Sequence, residues 1–212
     1  MPWAPPTLID CGVAQDVPLA CRCGALRGRM HRVEPRRANH LVCMCDDCQT
    51  YMRWLDRQAF LDASGGTEVV QLYPDQVTLD EGREHLRCAR LSPKGLMRWY
   101  AGCCKTPVVN GLDKPRVPFL GVHGAFIALE GDAREDALGP IRARVMGRFG
   151  QRPLPPGSYE RAPFGLLVRV AGQLARGYFG GRHQPSPVYD ARGESLVAPA
   201  VLDRAERDAA RP

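Results

Sequence analysis

Seven of the nine cysteines in the chain fall in three tight groups: Cys21 with Cys23, Cys43 with Cys45 and Cys48, and Cys103 with Cys104. Ordinary core cysteines have no reason to cluster, whereas metal coordination requires it. In a tetrahedral thiolate site, metal–sulfur bonds of about 2.3 Å put the sulfurs within roughly 4 Å of each other, so the ligands come in local pairs on sharply bent chain. Residues i and i+2 of a straight strand lie about 6.6 Å apart. A C-x-C pair therefore needs a knuckle, and Gly24 directly after Cys23 permits one by tolerating positive φ.

Cys43-Met44-Cys45-Asp46-Asp47-Cys48 offers three thiolates with no evident fourth ligand. A structural zinc is usually closed by four protein ligands and a catalytic one keeps a position open, so three thiolates and a vacancy point to a working site. His40, just upstream, is a candidate to close it, although a lone histidine near a turn more often serves hydrogen bonding. Asp46 and Asp47 are read as capping or solvated residues rather than ligands. Cys21 and Cys23 need partners from elsewhere, and Cys103-Cys104 is the remaining close group. Adjacent side chains tend to diverge, so one of that pair can serve as ligand while the other is buried or redox-active. Cys11 and Cys88 stand alone and read as ordinary buried cysteines. Disulfide redox chemistry is the competing reading, since Cys45 to Cys48 is formally a C-x-x-C. It lacks a βαβ setting, and the clustering favours metal.

The elements that must position these residues are short. Strands are expected over 26–33, 38–43, 67–73, 76–79, 85–91 and 96–100, and a brief helix over 49–56. Turns at Tyr73-Pro74-Asp75 and Asp80-Glu81-Gly82 give the three strands between 67 and 91 the look of a meander. From Asp132 the pattern turns helical, over 133–147, 162–178 and 200–210. Leu166, Leu167, Val170, Leu174 and Phe179 recur at near-helical spacing, which suits packing on the protein's own core better than a membrane surface. The expectation is a mainly β zinc-binding domain over 15–131 and a helical extension over 132–212 packed on it.

Apolar residues make up 44% and charged residues 25% of the 212, as in a soluble globular protein. No stretch reaches the ~18 apolar residues of a spanning helix. The first residues carry neither a basic nor a continuous apolar segment of a secretion signal, so a reducing cytoplasm is expected, where nine cysteines suit metal better than disulfides. The net charge of +6 admits an anionic small substrate or nucleic acid, but the arginines are spread out, and a dedicated nucleic-acid binder is not expected.

The order of the cysteine groups resembles the family of the glutathione-dependent formaldehyde-activating enzyme and centromere protein V. That pattern runs C-x-C-G, then C-x-C-x-x-C, then an aromatic-Cys-x-x-Cys segment. The first two parts match Cys21-Arg22-Cys23-Gly24 and Cys43 to Cys48. The third is altered: Ala101 stands at the family's first cysteine and Cys104 at its second. The resemblance spans roughly residues 15–125 and implies a β-tent fold. It also implies a structural zinc on Cys21, Cys23 and Cys104, with Cys103 replacing the missing ligand, and an active-site zinc on Cys43, Cys45 and Cys48. The family often has a histidine where this chain has Met44. The implied activity is that of a carbon–sulfur lyase or aldehyde-activating enzyme, acting on adducts such as S-hydroxymethylglutathione, with two zinc ions and glutathione as co-substrate. Arg53 or Arg98 would suit an anionic thiol. The alternative is a non-catalytic, zinc-stapled module that binds protein or nucleic acid.

Overall fold

A computed structural model describes residues 14–212, and the reading of Cys11 lies outside them. A small sheet holds β1 (Gln15–Ala20), β2 (Arg27–Val33) and β5 (Val77–Glu81), in the order β1-β2-β5. The large sheet adds β3 (Asn39–Cys43), β4 (Thr67–Leu72), β6 (Leu86–Arg90), β7 (Met97–Ala101), β8 (Thr106–Gly111), β9 (Leu120–His123), β10 (Ala143–Val145) and β11 (Pro199–Val201). Its order is β10-β3-β4-β9-β8-β7-β6-β11. The chain is therefore mainly β, in two sheets.

Strand alternation builds the core between them. In β1 and β2, Val17, Leu19, Gly28 and Met30 point inward while Arg27 and Arg29 face out, as a strand with period two requires, and the irregularity at Arg32, φ 49, brings Val33 inward as well. Val17, Leu19, Met30 and Val33 meet Val70, Trp99, Val109 and Val122 of the large sheet in one cluster. The amide of Ala128 donates to the Pro18 carbonyl at 2.9 Å, tying the two sheets at one edge.

The outer face of the large sheet carries α1 (Asp46–Trp54). Tyr51 and Met52 of that helix and Leu55 just after it bury against Ala89, Leu91 and Leu202. Trp54 meets Tyr100 edge-on at 5.6 Å. Asp46 and Asp47 occupy the first turn of α1, where negative charge complements the helix dipole.

The meander is not formed. β4 pairs with β3 and β9, β5 leaves for β2 in the small sheet, and β6 pairs with β7. Hydrophobic alternation marks the strands but carries no information on which of two sheets each one joins. The helix expected over 133–147 is shorter, α2 (Gly131–Leu138), because Gly139 at φ 69 ends it and the chain then adds β10 parallel to β3. Residues 199–201 likewise form β11, parallel to β6, before α4 (Arg204–Ala209).

The apolar stripe of α3 (Phe164–Phe179) is the other correction. Leu166, Val170 and Leu174 share a half-buried side, but Leu167 is exposed and Phe179 is 88% exposed. At about 100° per residue Phe179 points away from that side. The helix is instead held by close approach at Gly177, where an added Cβ would lie 2.4 Å from the Tyr73 ring, and by polar contacts from Arg169 and Gln173.

His40 is not free to bind metal. Its Nδ1 meets the Gly139 carbonyl at 2.8 Å and its Nε2 meets Glu68 at 2.7 Å. Arg134 donates to the other Glu68 oxygen at 2.7 Å, so one carboxylate joins β3, β4 and α2. Burial opposes ionisation of Glu68, and the hydrogen bonds from His40 and Arg134 outweigh it, holding the carboxyl below its ordinary value of 4.5. A depressed carboxylate contributes stability above the unfolded value and loses it as pH falls through the folded one. Glu68→Gln should therefore lower the melting temperature at neutral pH, with the gap to wild type closing as pH drops below 4.5 in a calorimetric series; a gap independent of pH would refute this assignment.

Candidate metal centres

All seven clustered cysteines converge into two groups. The sulfurs of Cys21, Cys23, Cys103 and Cys104 lie within 4.8 Å of one another, as do those of Cys43, Cys45 and Cys48. Cys88 is buried apart from both, and burial pushes its thiol up to about 12.

The first group joins two hairpin turns. Cys21 and Cys23 lie between β1 and β2 of the small sheet, and Cys103 and Cys104 between β7 and β8 of the large one. Gly24 takes φ 75 and donates its N–H to the Cys21 carbonyl at 2.8 Å, which closes the knuckle. Opposite, the amides of Cys104 and Lys105 both turn back to the Ala101 carbonyl, and Lys105 adopts φ 55. That tight turn is what lets adjacent cysteines face one point, so both members of the pair join the group. Ala101, which replaces a cysteine of the resembled pattern, is buried in the core.

Sulfur separations are 3.6 Å for Cys21–Cys23, 3.8 Å for Cys21–Cys103, 3.3 Å for Cys23–Cys103 and 3.9 Å for Cys103–Cys104. A tetrahedral ion with bonds of about 2.3 Å to sulfur has edges of about 3.8 Å, so these residues fit a metal. Surrounding donors complete the cradle. The Leu26 amide donates to Cys21 Sγ at 3.3 Å, Thr106 Oγ1 lies 3.1 Å from Cys104 Sγ and accepts the Arg22 amide at 3.0 Å, and Arg57 caps the Cys104 carbonyl through two nitrogens.

The second group lies where β3 enters α1, on the helix-covered face of the large sheet. Cys43 ends the strand, Cys45 caps the helix with extended backbone, and Cys48 sits in its first turn. Met44 between them is fully buried and donates its amide to the Val145 carbonyl of β10 at 3.0 Å. Gln49 donates to the Met44 and Phe149 carbonyls, both at 2.9 Å. The knuckle is thus clamped by backbone from residues 143–150, long after it in sequence.

Charge at this group is decided by Arg98. It comes from β7, whose alternation sends Trp99 into the inter-sheet core and Arg98 to the helix side. Arg98 is 1% exposed, and its guanidinium lies over the Tyr51 ring at 5.1 Å and reaches Cys48 Sγ at 4.0 Å. Among the described residues no carboxylate pairs with it. A buried cation needs a counter-ion, and the thiolates are the only one at hand. Cys48 is accordingly pulled far below the ordinary thiol range, first by the sulfurs of Cys43 and Cys45 and then, against the cost of burial, by Arg98. Cys43 is pushed up by those same neighbouring sulfurs and by burial. Bare, the group resists a second thiolate; three thiolates and a divalent ion carry −1, which Arg98 balances. Arg98 is thus enclosed rather than waiting at the surface for an anionic substrate.

Sequence reasoning overlooked His123. It ends β9, is fully buried, and stacks obliquely on Tyr51 at 5.9 Å. Both ring nitrogens are without a hydrogen-bond partner, and burial pushes the ring down to about 4, leaving it neutral at physiological pH. With Thr67, whose buried hydroxyl is also unpartnered, and Met52 it lines a cavity of about 200 Å³. Thr67 is the cross-strand partner of Cys43, so the cavity adjoins the three-sulfur group. Only the strand pairing reveals this, because His123 is far from every cysteine group in sequence.

The chain belongs to a family of unknown function, DUF6151, whose model matches residues 13–198. That span takes in both cysteine groups, β10 and α3. No curated protein matches the sequence.

Two metal equivalents per chain are expected by elemental analysis. Because partners that orient and charge-balance ligands commonly change metal affinity by about 10- to 100-fold, Arg98→Met should weaken one of the two sites by about tenfold in chelator competition and leave the other unchanged. Equal affinity of both sites in the variant would show that Arg98 is not their counter-charge.

Proposed function

We propose that this protein is a zinc-dependent enzyme of carbon–sulfur bond chemistry, joining a thiol to an aldehyde or cleaving the adduct, with Cys43, Cys45 and Cys48 as its active centre. The observation that carries the reading is the unequal completion of the two groups: four sulfurs in the first and three in the second. The resemblance of the cysteine order to the formaldehyde-activating family supports the same division, a β-tent frame, and a glutathione-type thiol with formaldehyde as the aldehyde. Tetrahedral sulfur sets favour zinc among the divalent metals. Bound there, zinc would supply a Lewis acid that lowers the pKa of a thiol.

The protein's own residues have distinct tasks. In the forward direction the substrate sulfur bonds to the carbonyl carbon, the carbon–oxygen π pair moves to oxygen, and the thiol proton ends on that oxygen; cleavage reverses each change. His123, neutral and unpartnered beside the cavity, is the candidate to accept and return that proton. Arg98 balances the thiolate charge, and Met44 and Gln49 hold the knuckle against residues 143–150 so the sulfurs keep their spacing. A 200 Å³ cavity suits the small aldehyde end of an adduct and leaves the bulk of a thiol such as glutathione outside.

The test measures acceleration of S-hydroxymethylglutathione formation over the spontaneous rate by metal-loaded protein. Cys43→Ala should reduce it to background. His123→Phe should cost about 10²-fold in kcat with the metal content unchanged. A protein holding both metals that accelerates neither formation nor breakdown of the adduct would instead be a zinc-stapled binding module.

A further inference from the structure

A second, larger cleft lies at the other end of β3 and β4. Asn39 and Gln71 pair at the cleft end of these strands and Cys43 and Thr67 at the thiolate end, a separation of roughly 13 Å along the strand. The cleft holds about 450 Å³, within the range of small-molecule sites. Six arginines line it, Arg32, Arg36, Arg37, Arg169, Arg176 and Arg182, against the single acidic lining residue Glu34.

Its floor is built and fixed. Arg169 donates to Asn39 Oδ1 at 2.6 Å and to the carbonyls of Arg36 and Arg37 at 2.6 and 3.0 Å. Asn39, fully buried, passes its amide to Gln173 at 2.6 Å. Arg142 grips the same turn from behind through the carbonyls of Pro35 and Ala38. Two guanidinium groups thus fasten the turn that carries Arg36 and Arg37 into the cleft. Arg182 is committed to Asp75 at 2.9 Å and lies over the Tyr73 ring at 4.2 Å, while Arg37 pairs with Glu34 at 2.9 Å. The guanidinium groups of Arg32 and Arg176 have no hydrogen-bond or ion-pair partner among the described residues.

Like charges gathered around a concavity repel one another, and among the described residues the carboxylates of Glu34 and Asp75 pair with Arg37 and Arg182 and leave Arg32 and Arg176 uncancelled. Such a cleft concentrates anions. Guanidinium forks match phosphoryl oxygens in bidentate geometry. Tyr73, the one aromatic among the described lining residues, is already covered by Arg182, so recognition rests on charge rather than on stacking of a base. We infer that this cleft is a binding site for a compact small-molecule polyanion carrying two or more phosphoryl groups, with Arg32 and Arg176 as its uncommitted anchors. Nothing in this inference depends on the chemistry proposed for the cysteine centre.

Isothermal titration of the full, metal-loaded chain with inorganic pyrophosphate tests it. Saturable binding at one site per chain is expected, weakened about tenfold or more in Arg32→Ala and in Arg176→Ala. Arg29→Ala removes an equal charge from a residue of β2 that pairs with Asp80 and does not line the cleft, and should bind as wild type does. Melting temperatures and metal content of all variants should match wild type, since neither anchor holds the fold together. No saturable binding of pyrophosphate would overturn the inference, as would equal loss in Arg29→Ala, which would mean diffuse attraction to a basic surface. Binding of an anionic vesicle or RNA oligonucleotide without pyrophosphate binding would also overturn it.

Discussion

Four sulfurs brought to within 3.3–3.9 Å of their neighbours from two hairpin turns, with some eighty residues of chain between them, are the constraint on which the rest of the molecule hangs. Thiols gain little from one another at that distance, and thiolates repel. A cation at the centre would make the arrangement favourable, and binding it would then be part of the folding free energy. The consequence is architectural. β1 and β2 belong to the small sheet and β7 and β8 to the large one, so the first cysteine group brings together the two sheets that enclose Val17, Leu19, Trp99 and Val109.

The second group answers a different problem. It lies on the outer face of the large sheet, closed over by α1, and contains one sulfur fewer. A buried guanidinium with no carboxylate would ordinarily be a grave cost, yet Arg98 persists beside Tyr51 and Cys48. The cost is offset if the sulfurs carry a net negative charge, as a Cys48 thiolate alone would supply and as three thiolates around a divalent ion would also supply. Arg98 and the thiolates therefore justify each other. The same face leaves His123 and Thr67 with unpaired polar atoms around a small cavity. Buried polar groups without partners are rare in a frame built only for stability, and they collect where a ligand or solvent is to be accommodated.

Local chemistry was legible in the sequence and long-range pairing was not. The cysteine spacing located both groups, and Gly24 announced the knuckle because only a residue without Cβ adopts its φ cheaply. Short alternating runs located most strands to within a residue or two. What alternation lacks is an address: nothing in Val77–Glu81 says that it pairs with β2 rather than with its neighbours in sequence. Arg98 looked like any solvated arginine until the strand phase turned it inward. His40 lies close to the cysteines in sequence but is held by Glu68 and Gly139, while His123, distant in sequence, reaches their side of the sheet through the register of β9.

The segment after residue 131 shows why the family match runs well beyond the cysteines, to residue 198. β10 and β11 pair in parallel with the outermost antiparallel strands β3 and β6 and themselves form the two edges of the large sheet; each is only three residues long, which leaves little open strand for pairing with another chain. β10 does more than end the sheet. Its Val145 carbonyl takes the Met44 amide, the Phe149 carbonyl takes Gln49, and Gly150 lies so close to the Met44 sulfur that an added Cβ would come within 2.8 Å of it. Met44 stands where the resembled family often has a histidine, and here it is an apolar plug driven into the protein. A three-residue strand and the turn after it therefore set the sulfur spacing of Cys43, Cys45 and Cys48 from outside, so that the geometry of the centre is a property of the whole matched chain and not of the cysteine motif alone.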